Sequence, residues 1–154
     1  MANLTVSLRE NLKLEGTQYG SRRGFTISGI NEAFKRVVTV LSASETALVA
    51  VSTARANGTF IKGDIRYIRI ANLDPTNYII LTCKDSGNGE FAVKLDKGQS
   101  FIYHSDLSGG VVETLDASAS ALNLAHDATL ADLVDIVAIA NTANCDVEVF
   151  VACV

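Results

Sequence analysis

The sequence predicts an all-β fold: an antiparallel β-sandwich or jelly roll with at most one or two short helical turns. Three observations carry that prediction. Hydrophobicity alternates with a period close to two along most of the chain, the period of a strand with one buried face. The alternating runs are short and return at intervals of about ten residues. Clusters of Gly, Asn and Asp lie between them, and these residues tolerate turn conformations.

Taken in order, Thr5 to Leu8 alternates, and Leu12-Lys13-Leu14 repeats the pattern before Gly16. After a loop expected from Gly20 to Gly24, Phe25 to Ile30 alternates again. Val37 to Leu41 and Ala47 to Val51 are rich in β-branched residues, which fit a pleated surface. Phe60-Ile61 precedes the clearest strand, Ile65 to Ile70. The turn cluster Asn72 to Asn77 holds the only proline, and Tyr78 to Cys83 follows it. Asp85 to Gly89 reads as a hairpin tip, with Asn88-Gly89 expected to supply both positive-φ positions of a type I′ turn. Phe91 to Leu95, a turn at Asp96 to Gly98, and Ser100 to Tyr103 continue the pattern. Ile136 to Ile139, a turn at Asn141 to Asn144, and Val147 to Val151 complete it. Helical composition is confined to Ser118–Leu124 and Thr129–Leu133, with Asp127 or Thr129 as a cap, and to the ambiguous Asn31–Lys35 stretch.

The length, 154 residues, predicts one domain over residues 1–154. Apolar residues make up 48 % of the chain and charged residues 19 %, against roughly 25 % charged in an ordinary soluble domain. Mean hydropathy is +0.25. The most apolar window, Leu130 to Ala140, contains Asp132 and Asp135, so no stretch reads as a membrane helix. A chain this apolar and this poorly charged is expected to bury surface against partners as well as within itself. A net charge of −4 gives no general attraction to nucleic acid or anionic lipid. Three cysteines, Cys83, Cys145 and Cys153, lack CxxC spacing and sit in strand-like runs, as small hydrophobes do. That usage favours a reducing compartment or assembly site, and the first residues carry no secretory signature.

The ends suggest assembly. Residues 1–16 are expected to form either an arm that adds to a neighbour's sheet or an ordinary edge strand. The apolar run Val149 to Val154 is expected to lie inside a sheet. The interface residues anticipated here are Leu4, Val6, Leu8, Leu12, Leu14, Arg22 and Arg23.

Candidates for chemistry are few. His104 and His126 have no His or Glu partner at ligand spacing. His104-Ser105-Asp106 contains the residue types of a hydrolase triad, but adjacent positions do not make the relay geometry. Asp85, Asn88 and Glu90 offer oxygen ligands without the calcium-loop spacing. Asp132 and Asp135 read as solvent-facing carboxylates on a short turn. Gly20-Ser21-Arg22-Arg23-Gly24 is a weak candidate for a phosphate-holding nest, without a helix to follow it. The reading that results is a non-enzyme with no catalytic residue, no cofactor and no metal.

Tyr67 to Tyr78 is a strand, an Asn-Leu-Asp-x-Thr-Asn turn and a second strand. Phe91 to Phe101 holds a Lys-Gly turn between two strands, and Ala140 to Val149 repeats the style. Together these stretches resemble small β-sandwich structural proteins of tailed phages, particularly those of marine and cyanobacterial phages. The resemblance implies a virion component of capsid decoration (cement) type. It would be a homotrimer, made in the host cytoplasm, on the outer surface of the head, gripping joints between major capsid subunits. Its partners would then be itself and the phage major capsid protein, with no nucleic acid and no membrane. A tail component (fibre, hub, tube or receptor-binding module) is the alternative, and a glycan-binding or enzymatic jelly roll a more distant one. A content of 6 % aromatics without Trp argues against a sugar platform.

Overall fold

The computed structural model describes residues 1–106, 109–115 and 133–154. Eight longer strands make the body: β5 (Glu32–Val40), β6 (Thr46–Ser52), β8 (Ile65–Asn72), β9 (Ile79–Asp85), β10 (Glu90–Leu95), β11 (Ser100–His104), β12 (Leu133–Ala140) and β13 (Cys145–Cys153). The first of them pairs with the last (β5 with β13), the second with the seventh (β6 with β12), the third with the sixth (β8 with β11), and the fourth with the fifth (β9 with β10). This nested antiparallel pairing is a jelly roll. It yields two sheets, β11-β8-β13-β5 and β10-β9-β12-β6, with the two-residue β7 (Phe60–Ile61) added in parallel beside β6.

The two sheets meet through their inner faces. Ile68, Ile70, Val147, Val149 and Val151 come from one, and Leu48, Ile79, Leu81, Cys83 and Ile136 from the other; all are buried. Strict alternation along β9 and along Cys145 to Val151 of β13 produces this face, since every second residue points inward. β13 lies between β8 and β5, so the apolar end of the chain is a central strand, as anticipated.

Asn72 is the buried polar residue that joins the sheets at one end. Its side-chain amide donates to the Asn77 carbonyl at 2.9 Å and to the Leu95 carbonyl at 3.2 Å, and its Oδ1 accepts the Asp74 N–H at 3.0 Å. Asp74 then caps the turn, its carboxylate accepting the N–H groups of Thr76 (2.8 Å) and Asn77 (2.6 Å).

Three local expectations change. Asn31–Lys35 is not helical; Glu32 begins β5, and pairing along the whole of β13 outweighs its composition. The one helical element among the described residues is a 3₁₀ turn at Val112–Thr114. Ser118–Leu124, Asp127, and all of Thr129–Leu133 except Leu133 lie outside the described residues. The Asp85–Gly89 tip is not a type I′ turn. Only Asn88 has positive φ (65°), and Asp85 N–H bonds the Gly89 carbonyl across a three-residue loop. That is a type I turn closed by a left-handed residue, a role Asn fills almost as readily as Gly. Leu133 and Asp135 belong to β12 and not to a turn, with Asp135 half-buried opposite Lys84 and Ala50.

Candidate functional site

Before β5 the chain makes a long two-stranded ribbon outside both sheets. β1 (Ala2–Arg9) pairs with β4 (Arg22–Ile30), and β2 (Lys13–Leu14) with β3 (Thr17–Gln18). From Leu4↔Ile27 to Leu14↔Thr17 the partners keep one register. The backbone bonds from Glu10 N–H to Ser21 and from Tyr19 N–H to Leu12 carry it across the gap between the strand pairs. Constant register requires a two-residue turn, and Glu15 (φ 50°) and Gly16 (φ 82°) supply the two left-handed positions of type I′. The Gly20–Gly24 stretch is therefore not a loop. It lies on the return side of the ribbon, with Arg22–Gly24 in β4, and Gly20 belongs there because a Cβ would run into the Glu10 carbonyl and the Asn11 Cα. With the loop goes the phosphate nest, since Arg22 and Arg23 are consecutive strand residues that project to opposite sides.

Directly opposed residues share a face, so the register sorts the ribbon's side chains. One face carries Leu4/Ile27, Val6/Phe25, Leu8/Arg23, Glu10/Ser21, Leu12/Tyr19 and Leu14/Thr17. The other carries Thr5/Thr26, Ser7/Gly24, Arg9/Arg22 and Lys13/Gln18. Every large apolar side chain between Leu4 and Ile27 thus falls on one stripe. On the polar face, Arg9 stands directly across from Arg22, a like-charge pair that disfavours the isolated ribbon.

The stripe has two halves with different fates. Near the body, Leu4, Val6, Phe25 and Ile27 pack with Tyr67, Phe150 and Ala152, on the outer face of the β11-β8-β13-β5 sheet. Phe25 stacks on the His104 ring, centroids 3.8 Å apart, and burial pushes the Tyr67 hydroxyl above its usual pKa. Farther out the ribbon overhangs. Leu8, Leu12, Leu14 and Tyr19 are 58, 54, 56 and 62 % exposed. A lone two-stranded ribbon is marginal in water, and this one presents its apolar side to solvent over half its length. Covering those four side chains would gain roughly 1 kcal/mol each.

Of the residues the sequence singled out, Leu4 and Val6 are half-buried against the chain's own body. Leu8, Leu12 and Leu14 lie on the overhanging stripe, with Arg23 beside Leu8, and Arg22 lies on the polar face. Residues 1–16 are thus one side of a hairpin whose other side is 17–30. Tyr19, Phe25 and Ile27, on the return strand, were missed. The signal was Glu15-Gly16, a weaker type I′ cue than Asn-Gly or Asp-Gly.

The other candidates for chemistry are occupied by structure. The Asp85 carboxylate accepts the N–H groups of Gly87 and Gly89, both at 2.8 Å, while Glu90 sits 3.6 Å from Lys84. His104 is held against Phe25, and the Ser105 N–H is bonded to the Arg66 carbonyl. His126 and Asp132 lie outside the described residues. Among the described residues, no three His, Cys, Asp or Glu side chains are grouped to hold a metal, and no helix is long and apolar enough to cross a membrane. All three cysteines are free and buried, with burial pushing the Cys83 and Cys153 thiols up to about 12. A groove of about 420 Å³ lies beside β5 and β7. Its Arg36 is stacked over Phe34 at 5.1 Å and bonded to the Leu48 carbonyl, and its Arg55 lies 3.8 Å from Glu32. Cys153, at the edge of that groove, is held as the thiol and so is a poor nucleophile.

No family model and no curated protein matches this chain. The geometry alone therefore distinguishes one feature: a projecting amphipathic ribbon on a rigid jelly roll.

Proposed function

We propose that this chain is a non-enzymatic structural protein of a virion, a capsid decoration protein whose ribbon adheres to protein surfaces at the phage head. The observation that carries the adhesive role is the overhanging stripe of Leu8, Leu12, Leu14 and Tyr19, an apolar surface held away from the body and left exposed among the described residues. Two things support the virion setting. The strand-turn motifs resemble small structural proteins of tailed phages. The jelly roll also recurs in viral shells, an analogy of fold that also extends to lectins and cupins. The physics suits the role. A packaged genome presses outward, and a small protein bridging neighbouring subunits adds contact area that must be broken before they part. Many equivalent sites would raise the effective affinity of each attachment.

The test is a mass-spectrometric copy count on purified particles, with a chain lacking residues 7–24 as comparison. The proposal expects the intact chain in hundreds of copies on the head and the shortened chain lost from it. A handful of copies would place the protein in the tail. Absence from particles, or undiminished attachment of the shortened chain, would overturn the reading.

A further inference from the structure

We propose that the overhanging half of the ribbon packs onto a second copy of this chain, on the part of the outer sheet face that the chain's own ribbon leaves bare. This deepens the adhesive reading above by naming the ribbon's partner.

Continuity of the stripe is the first ground. Its inner half already rests on the outer face of the β11-β8-β13-β5 sheet, against Tyr67, Phe150 and Ala152. That is the kind of surface the stripe fits. The register across the sheet sets Lys35, Phe150, Arg69 and Ile102 in one row and Val37, Glu148, Ala71 and Ser100 in the next. These rows run on from the covered ground and leave Val37 57 % and Ile102 46 % exposed. The same sheet face thus carries uncovered apolar residues, and the same stripe carries uncovered apolar residues. They do not meet within one chain, because the ribbon's outer half extends beyond the body.

Charge is the second and independent ground. Residues 1–30 contain four basic side chains (Arg9, Lys13, Arg22, Arg23) and two acidic ones (Glu10, Glu15), a net of +2. The whole chain has 13 basic and 17 acidic residues, so the remainder carries nine and fifteen, a net of −6. At long range the ribbon's charge therefore favours the body of another copy over a second ribbon. Burying the stripe leaves Arg9, Arg22 and Lys13 facing outward on the opposite side, in water. The sheet face supplies its own neutralisation, with Glu148 bound by both Lys35 (2.9 Å) and Arg69. On the stripe itself the Glu10 carboxylate accepts from the Ser21 hydroxyl at 2.7 Å, and Arg23, beside Leu8, has to reach water or a carboxylate at the rim of the contact. The contact is heterologous, ribbon to sheet, so it closes as a pair by reciprocal exchange or as a ring.

The experiment measures the mass of the free full-length chain, alone, by light scattering and native mass spectrometry. Three proteins are compared: wild type, a ribbon variant (Leu8→Thr, Leu12→Thr, Leu14→Thr) and a sheet-face variant (Val37→Thr, Ile102→Thr). All five positions are exposed; four are strand sites where threonine suits the backbone, and Leu12 lies just before β2. Wild type is expected at a multiple of 16.3 kDa and each variant alone at 16.3 kDa. An equal mixture of the two variants is expected to recover a two-chain species, because each still owns the half that the other lacks. A wild-type mass of 16.3 kDa up to about 100 µM would overturn the proposal, as would an unchanged mass in the ribbon variant or a mixture that stays monomeric. No shell is present, so the outcomes separate. A self-assembling chain absent from particles would sink the virion reading and leave this one, and a monomer found on particles would do the reverse.

Discussion

Replacing Asn72 by alanine should cost the fold about 3 kcal/mol, and the structure shows where that comes from. Asn72 is 1 % exposed and makes three hydrogen bonds. The bond to the Leu95 carbonyl is fully buried, so losing its donor leaves an acceptor without water, at about 2 kcal/mol. The bonds to the Asn77 carbonyl and from the Asp74 N–H are partly exposed, and water recovers much of each, leaving about 0.5 kcal/mol apiece. With a urea slope of about 2 kcal/mol per molar, the unfolding midpoint should fall by about 1.5 M. Asn72→Asp should be worse than alanine. It keeps the acceptor for Asp74 but aims a carboxylate at two carbonyl oxygens in a buried setting. Equilibrium urea unfolding followed by far-ultraviolet circular dichroism measures both. A midpoint shift under roughly 0.3 M for Asn72→Ala, or an aspartate variant more stable than the alanine one, would refute the reasoning.

Two further outcomes follow from the titrating groups. The N–H groups of Asn77 and Thr76 hold the Asp74 carboxyl below its ordinary 3.8, and Lys35 and then Arg69 hold Glu148 below its ordinary 4.5. A carboxylate depressed in the folded state stabilises it fully above the unfolded value and loses that contribution as pH falls through the folded one. Acid unfolding should therefore steepen below about pH 4, and Asp74→Asn with Glu148→Gln should flatten the stability profile from about pH 5 to about pH 2. A double variant with the wild-type profile would disprove that assignment. For the cysteines, thiols pushed up to about 12 at Cys83 and Cys153 leave little thiolate at neutral pH. A disulfide reagent at about pH 8 should modify them roughly a thousandfold more slowly in the native chain than in urea. Rapid modification of either thiol in the folded protein would contradict their burial.

The extent of what was legible follows from which signals are local. Alternation along β9 and β13 is a property of consecutive residues, so these strands, the buried cysteines and the turns at Pro75 and Gly98 could be read directly. The Asn31–Lys35 stretch could not, because its conformation is decided by β13, more than a hundred residues away. The candidate site divides the same way. Leu4 to Leu14 drew notice as an alternating apolar run, but their partners Tyr19 to Ile27 emerged only with the register that Glu15 and Gly16 impose.

By itself the sequence determined an all-β chain, poor in charge and in groups that could converge for catalysis. Its apolar residues serve either as core or as exposed surface. Only the tertiary structure decided which. Leu12 and Leu14 flank a basic residue just as Ile68 and Ile70 do, yet the first pair overhangs in water and the second is wholly buried. Period-two hydrophobicity specifies that a strand has an apolar face. What covers that face depends on pairing between distant segments, and here the nested pairing of eight strands closes the core and leaves the ribbon outside it.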